Sequence, residues 1–170
     1  MNARLLAAIA VTALSIPAAA HEITFADPKK FADIGAPDEV ATNVKALQAH
    51  IERLAQEKLP ADSSLHLEVM NVDLAGDRRL RGGGQWVRVM NGRADWPIIT
   101  VRYSYRQPGQ PELSGNEMIS DPLYLDRGRP ISDDPLRYER RMLAEWFQDR
   151  LVDRKPGPPP PKPKEKKKKS

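Results

Sequence analysis

The chain has 170 residues, a net charge of +4 and no cysteine, which excludes disulfides, thiol catalysis and cysteine-based zinc or iron–sulfur sites. The charge is unevenly placed: from Lys155 onward there are seven lysines against one glutamate, whereas residues 21–154 hold 19 basic and 22 acidic side chains. The body is therefore mildly acidic, and a basic face for nucleic acid is not supported.

The N-terminus has the layout of a secretory signal peptide. Arg4 supplies a short positive region, Leu5 to Ile16 an apolar run, and Pro17-Ala18-Ala19-Ala20 the small residues before a cleavage point. The run is too short to span a bilayer comfortably, so residues 1–20 read as a signal peptide cut after Ala20, leaving no transmembrane segment in the mature chain. Ile23-Thr24-Phe25 is a short strand ended by Asp27-Pro28, and Phe31 and Ile34 tuck under the sheet edge before Gly35 turns the chain. Pro37-Asp38-Glu39 reads as the first turn of a helix, with proline at N1 and acids at the positive end of the dipole. Val40, Val44, Leu47, Ile51 and Leu54 continue it as one apolar stripe, with His50 at its rim, until Pro60.

Leu65, Leu67 and Val69 alternate with His66 and Glu68 as a half-buried strand does. From Met70 the apolar positions change parity, to Met70, Val72 and Leu74, which calls for a bulge or for cover on both faces. The strand breaks at Ala75-Gly76-Asp77 into a loop carrying Arg78, Arg79, Arg81 and Gly82-Gly83-Gly84. Gly76 is expected at positive φ, and Asp73 is expected to accept hydrogen bonds from turn amides. Trp86 to Met90 is a strand, Asn91-Gly92 a turn, and Ile99, Val101, Tyr103 and Tyr105 mark the clearest alternating strand. Glu112 to Ser120 is a further strand, residues 123–132 a loop, and Asp134-Pro135 the start of a second helix with stripe residues Leu136, Leu143, Phe147 and Leu151. From Lys155 prolines and lysines exclude helix and sheet, and residues 155–170 read as an extended, solvated tail.

Strand, helix, three or four antiparallel strands, helix is the order of an α+β domain over residues 21–154. The expected form is a two-layer sandwich, a mainly antiparallel sheet with two amphipathic helices on one face.

Several segments together resemble a family of secreted bacterial proteins, domain of unknown function 3016. They are Phe25-x-x-Pro28-x-x-Phe31-x-Asp33-Ile34, Val72-Asp73-Leu74-Ala75-Gly76, Arg88-Val89-Met90 through Asp95-x-Pro97-x-Ile99, Ser120-Asp121 with Tyr124, and Tyr138-Glu139 through Trp146-Phe147. The resemblance implies a Gram-negative envelope protein. The family carries no assigned activity, so no catalytic residue is transferred, and the lysine tail falls outside the matched region.

Asp73, Asp95 and Asp121 are the candidate carboxylates, each at a strand end or turn. Convergence would build a metal or acid–base site; the plainer role is bonding turn amides. His21, as a new N-terminus, could chelate copper with His66 as partner, against the plainer reading of two surface histidines. Arg78, Arg79 and Arg81 could hold an anion, although no P-loop pattern surrounds them and a mobile hairpin loop is the plainer reading. No cofactor motif is present. The lysine tail could touch anionic lipid or another envelope polyanion. The leading expectation is a soluble periplasmic protein without catalysis, acting by binding or contact in the envelope. The alternative is a periplasmic hydrolase or metal-dependent enzyme using Asp73, Asp95 and Asp121.

Overall fold

The computed structural model describes residues 20–157 apart from Gln85 and Arg93. The expected signal peptide up to residue 19 and the tail beyond Gly157 lie outside the described residues. In chain order the elements are β1 (Ala20–Phe25), α1 (Val40–Lys58), β2 (Ser64–Asp73), β3 (Asp77–Leu80), β4 (Trp86–Val89), β5 (Ile98–Arg106), β6 (Leu113–Ser120) and α2 (Arg137–Phe147), which runs on into a π turn at Gln148–Val152. The fold is α+β: a four-stranded, mainly antiparallel sheet in the order β1-β2-β5-β6, a separate β3-β4 pair, and two helices.

β1 runs parallel to β2, a pairing direction that the expected antiparallel set did not include. The reason lies in the connection. α1 carries the chain from the end of β1 back to the start of β2, and a helical crossover joins neighbouring strands in parallel. β2 then pairs antiparallel with β5, and β5 with β6. The parity change at Met70 is a bulge, since the β2–β5 register slips between Val69 and Asn71.

One face of the sheet carries Leu65, Leu67, Val69, Val101, Tyr103 and Tyr105, all buried. They share one apolar core with Leu47, Ile51 and Leu54 of α1 and with Met142, Leu143 and Phe147 of α2. The opposite face of the sheet carries Glu22, His66, Glu68, Arg102 and Ser104, none of them buried. That alternation is the period of two along a strand, and the helices supply their stripes at the period of 3.6. The core stands in place of the missing disulfides. Trp146 meets Tyr103 edge-on at 5.4 Å between ring centroids, and its indole N–H donates to Glu117 Oε2 at 3.0 Å.

Five local expectations are corrected. α1 begins at Val40, and Pro37–Glu39 form a turn that leads into it. Asp134 accepts from the Leu136 amide at 2.8 Å, with α2 proper starting at Arg137. Trp86–Val89 belongs to the separate β3–β4 arm rather than to the main sheet, and Arg78 and Arg79 lie in strand β3 rather than in a loop. His50 is buried instead of lying at the rim. Its Nε2 donates to the Arg140 carbonyl at 3.0 Å, and its Nδ1 takes a bond from Arg53 at 3.0 Å. A carbonyl only accepts and a guanidinium only donates, so these partners select the neutral Nε2–H tautomer. Burial lowers its pKa in the same sense.

Candidate functional site

β2 leaves the sheet at Asp73, and the next three residues are held from four distant parts of the chain. The Leu74 amide donates to the Asp33 carbonyl at 3.1 Å, and the Asp33 amide to the Val72 carbonyl at 2.9 Å. The Ala75 amide donates to Glu139 Oε1 at 2.7 Å. The Gly76 amide donates to the Asp95 carbonyl at 2.8 Å. One guanidinium nitrogen of Arg88 reaches the carbonyls of Leu74, Ala75 and Gly76 at 3.5, 3.3 and 2.9 Å. Its other nitrogen pairs with the Asp33 carboxylate at 2.9 Å. Ala75 and Gly76 are buried, so each of these backbone groups would carry a desolvation cost if left unpaired. Gly76 has φ +82, and a Cβ there would stand 2.7 Å from the Val89 carbonyl oxygen. The expected positive φ is present, and the close approach of β4 is a second reason for glycine.

Asp95 and Asp121 support the same end of the sheet. Asp95 accepts from the Asn91 amide at 2.6 Å and from the Tyr124 hydroxyl at 3.0 Å. Burial, together with that bond to a carboxylate, pushes the Tyr124 hydroxyl up to about 12. Asp121 is buried between Arg127 at 2.9 Å and Arg141 at 3.2 Å. Asp73 behaves differently. It bridges to Asp33, and among the described residues no turn amide donates to its carboxylate, which corrects the role expected for it. The amide-accepting carboxylate here is Asp33, which takes the Gly35 amide at 2.8 Å. Burial first, and then the neighbouring Asp33 charge, raise the Asp73 pKa. The three candidate carboxylates thus share one end of the sheet. Asp95 and Asp121 hold structural bonds there, while Asp73 is half-buried beside a like charge. Among the described residues no group of three or more metal-ligating side chains converges.

The histidines are not brought together. His21 pairs in register with Leu65 of the covered face, and His66 with Glu22 of the open one, so the two side chains leave opposite sides of the sheet. His66 bonds Glu22 at 2.9 Å across the strands.

Arg78 stands where two hollows meet. A groove of about 910 Å³ lies between residues 27–35 and the start of α1, with Phe31, Ile34, Val40 and Val44 on its walls and Arg78 and Lys29 among its lining residues. A smaller hollow of about 340 Å³ lies between the β3–β4 arm and α1, lined by Arg78, Trp86, Arg88 and Asn43. The Arg78 guanidinium sits 4.9 Å over the Trp86 ring. Among the described residues Arg78 has no carboxylate partner, whereas Arg79 pairs with Asp77 at 3.5 Å. Arg79 and Arg81 face solvent.

Glu139, Arg88 and Asp33 are the site residues that the candidate set omits. Each lies in a segment carrying the family resemblance, but none stands in a spacing that announces its role. A second buried network was equally unannounced: Glu117 accepts from Tyr103 at 2.6 Å and pairs with Arg150 at 2.8 Å. Burial acts to raise the Glu117 pKa, yet its bonds from Arg150, Tyr103 and Trp146 outweigh it and hold the carboxyl below its ordinary value.

Among the described residues no helix is long and apolar enough to cross a membrane. Searches of curated proteins and of solved structures return no match. The family model described as "Protein of unknown function (DUF3016)" matches residues 19–149, which span the sheet, both helices and every residue that closes on the Val72–Gly76 turn, and the chain belongs to that family.

Proposed function

We propose that this is a secreted, periplasmic, non-catalytic binding protein, whose groove beside α1 takes an apolar ligand with an anionic head. The observation that carries the reading is the groove itself: an apolar trough of about 910 Å³ with, at its edge, a guanidinium that has no carboxylate partner among the described residues. That volume falls in the range of small-molecule sites, and the pattern of apolar walls with one fixed polar group is how such sites orient a ligand. Asp27 and Asp33 also line it, but Asp27 is engaged by Lys30 and Asp33 by Arg88, which among the described residues leaves Arg78 and Lys29 as the lining cations open to an anion. Asp95 and Asp121 are occupied in holding the fold, which supports binding over acid–base chemistry.

A fluorescent fatty acid titrated into residues 21–170 in lipid-free buffer tests this. Saturable binding is expected. Ala41→Trp, an exposed position on the groove wall, should abolish it by filling the trough, and Arg78→Gln should weaken it several-fold. Equal uptake by parent and both variants would sink the reading.

The alternative, a periplasmic hydrolase or metal-dependent enzyme, draws its support from Asp73, a half-buried carboxylate with a raised pKa beside Asp33. Its test is hydrolysis of generic ester and phosphoester substrates by parent and Asp73→Asn. Turnover lost in the variant would favour the enzyme over the binding protein.

A further inference from the structure

The β3–β4 arm is unlike the rest of the molecule. It belongs to no larger sheet, and its outer end is the cross-strand pair Leu80 and Trp86. These side chains are 59% and 57% exposed, in a chain whose other tryptophans are half-buried. The turn beyond them stands in open space: a Cβ placed on Gly82, Gly83 or Gly84 meets no atom within 4 Å. Residues 77–86 carry three arginines and one aspartate, against the net negative charge of residues 21–154. An amphipathic aromatic, a leucine and guanidinium groups at one projecting tip is the composition that partitions into a bilayer interface, rings at the level of the head groups and cations at the phosphates.

We propose that the tip of the β3–β4 arm docks on an anionic phospholipid surface by inserting Trp86 and Leu80, with Arg79 and Arg81 on the lipid phosphates. A protein partner fits less well. A stable protein interface needs roughly 800 Å² from each side, and two side chains at a narrow tip fall far short of that. A membrane asks for less. Weak insertion of a few side chains becomes lasting attachment when a second basic element joins it, and residues 155–170 provide seven lysines. The inference deepens the envelope-contact reading and is independent of whether the groove holds a ligand, because the groove is tested without vesicles and the arm through Arg79, Leu80, Arg81 and Trp86, none of which lines the groove.

The test uses residues 21–170 with vesicles of phosphatidylcholine alone, or of phosphatidylcholine mixed with phosphatidylglycerol. Co-sedimentation reads binding, and quenching of tryptophan emission by bromine-labelled lipid reads insertion. Parent protein should bind only the mixed vesicles, with bromolipid quenching. The Leu80→Ser, Trp86→Ser double variant should bind several-fold more weakly and lose the quenching, while its thermal midpoint stays at the parent value. Arg79→Gln with Arg81→Gln should weaken binding and flatten its salt dependence. Deleting residues 158–170 should weaken adsorption but leave the quenching of bound protein intact. The proposal is overturned if quenching persists without Trp86, or if mixed-vesicle binding is unchanged in the double variant. It is equally overturned if the arm variants change only the sedimentation of the lipid-free protein, which would make the tip a contact between copies.

Discussion

At the scale of single residues, the Val72–Gly76 turn sets the sharpest expectations. Gly76 combines positive φ with a Cβ position 2.7 Å from the Val89 oxygen, so its replacement strains the backbone and pushes β4 away at once. Gly76→Val should cost roughly 3 kcal/mol or more by chemical denaturation, the range in which strain and overpacking add. A variant within experimental error of the parent would mean that the arm can swing aside freely. Glu139 makes a second test. Its Oε1 holds the Ala75 amide, its Oε2 has no partner among the described residues, and burial raises its pKa. A raised carboxyl keeps its proton longer in the folded chain than in the unfolded one. Its stabilising contribution is therefore full below the ordinary value of 4.5 and is lost as pH rises through the folded pKa. Glu139→Gln keeps an acceptor for the amide and carries no charge, so it should match or exceed the parent at pH 7 and flatten that decline. Glu139→Ala should cost about 1–3 kcal/mol at low pH, where the parent's carboxyl keeps its proton, because the buried Ala75 amide loses its partner, and that cost should shrink as pH rises through the folded pKa. Denaturation curves across the acid range separate the two outcomes.

At the scale of elements, α2 is held by its apolar stripe and by its polar end. Phe147 is 1% exposed and lies in the shared core beside Trp146. Phe147→Ala should cost roughly 3–5 kcal/mol by removing a buried ring and leaving a cavity. A near-neutral result would put the helix on the surface. The π turn after Phe147 brings both Arg150 and Leu151 inside. Arg150 can then meet Glu117 of β6, while Leu151 continues the stripe. A regular helix was the reading from spacing, because the stripe alone cannot report a widened turn. The salt bridges of the open sheet face, such as Arg102 with Glu68 at 3.3 Å, are solvated and contribute little by comparison.

For the whole molecule, the C-terminal boundary can be tested by truncation. The Arg150 guanidinium donates to the Lys155 carbonyl, the Lys155 ammonium reaches Asp149 at 2.6 Å, and Gly157 packs against Arg150 and Glu117. Contacts of the body therefore run on to Gly157, two residues past Lys155, where composition placed the start of the tail. Removing residues 158–170 should leave the thermal midpoint unchanged, since that stretch has no apolar side chain beyond proline to bury. Removing residues 155–170 should lower the midpoint by a few degrees, because the buried end of Arg150 loses an acceptor. Equal midpoints for both truncations would show that the Lys155–Gly157 contacts add nothing. On the secretion reading, intact mass of protein recovered from the periplasm should correspond to a chain starting at His21.

What could be read from the chain alone was whatever consecutive residues encode. The stripe from Val40 to Leu54, the alternation from Ile99 to Tyr105, the parity slip at Met70 and the turn glycine at 76 are local properties. Backbone geometry fixes which neighbours share a face or need a positive φ. The polar closure of the fold was not legible in the same way. Glu139 on the Ala75 amide, Arg88 on three carbonyls and Asp33 beside Asp73 join positions up to 64 residues apart. Nothing in their local spacing distinguishes them from solvated charges. Asp73 shows the limit most directly. Its neighbours in sequence suggested a turn-bonding role, yet the β1–α1 connection brings Asp33 into that role and leaves Asp73 beside a like charge. Only the tertiary structure decides such cases, because a side chain's desolvation and its partners depend on which distant segments the fold packs around it.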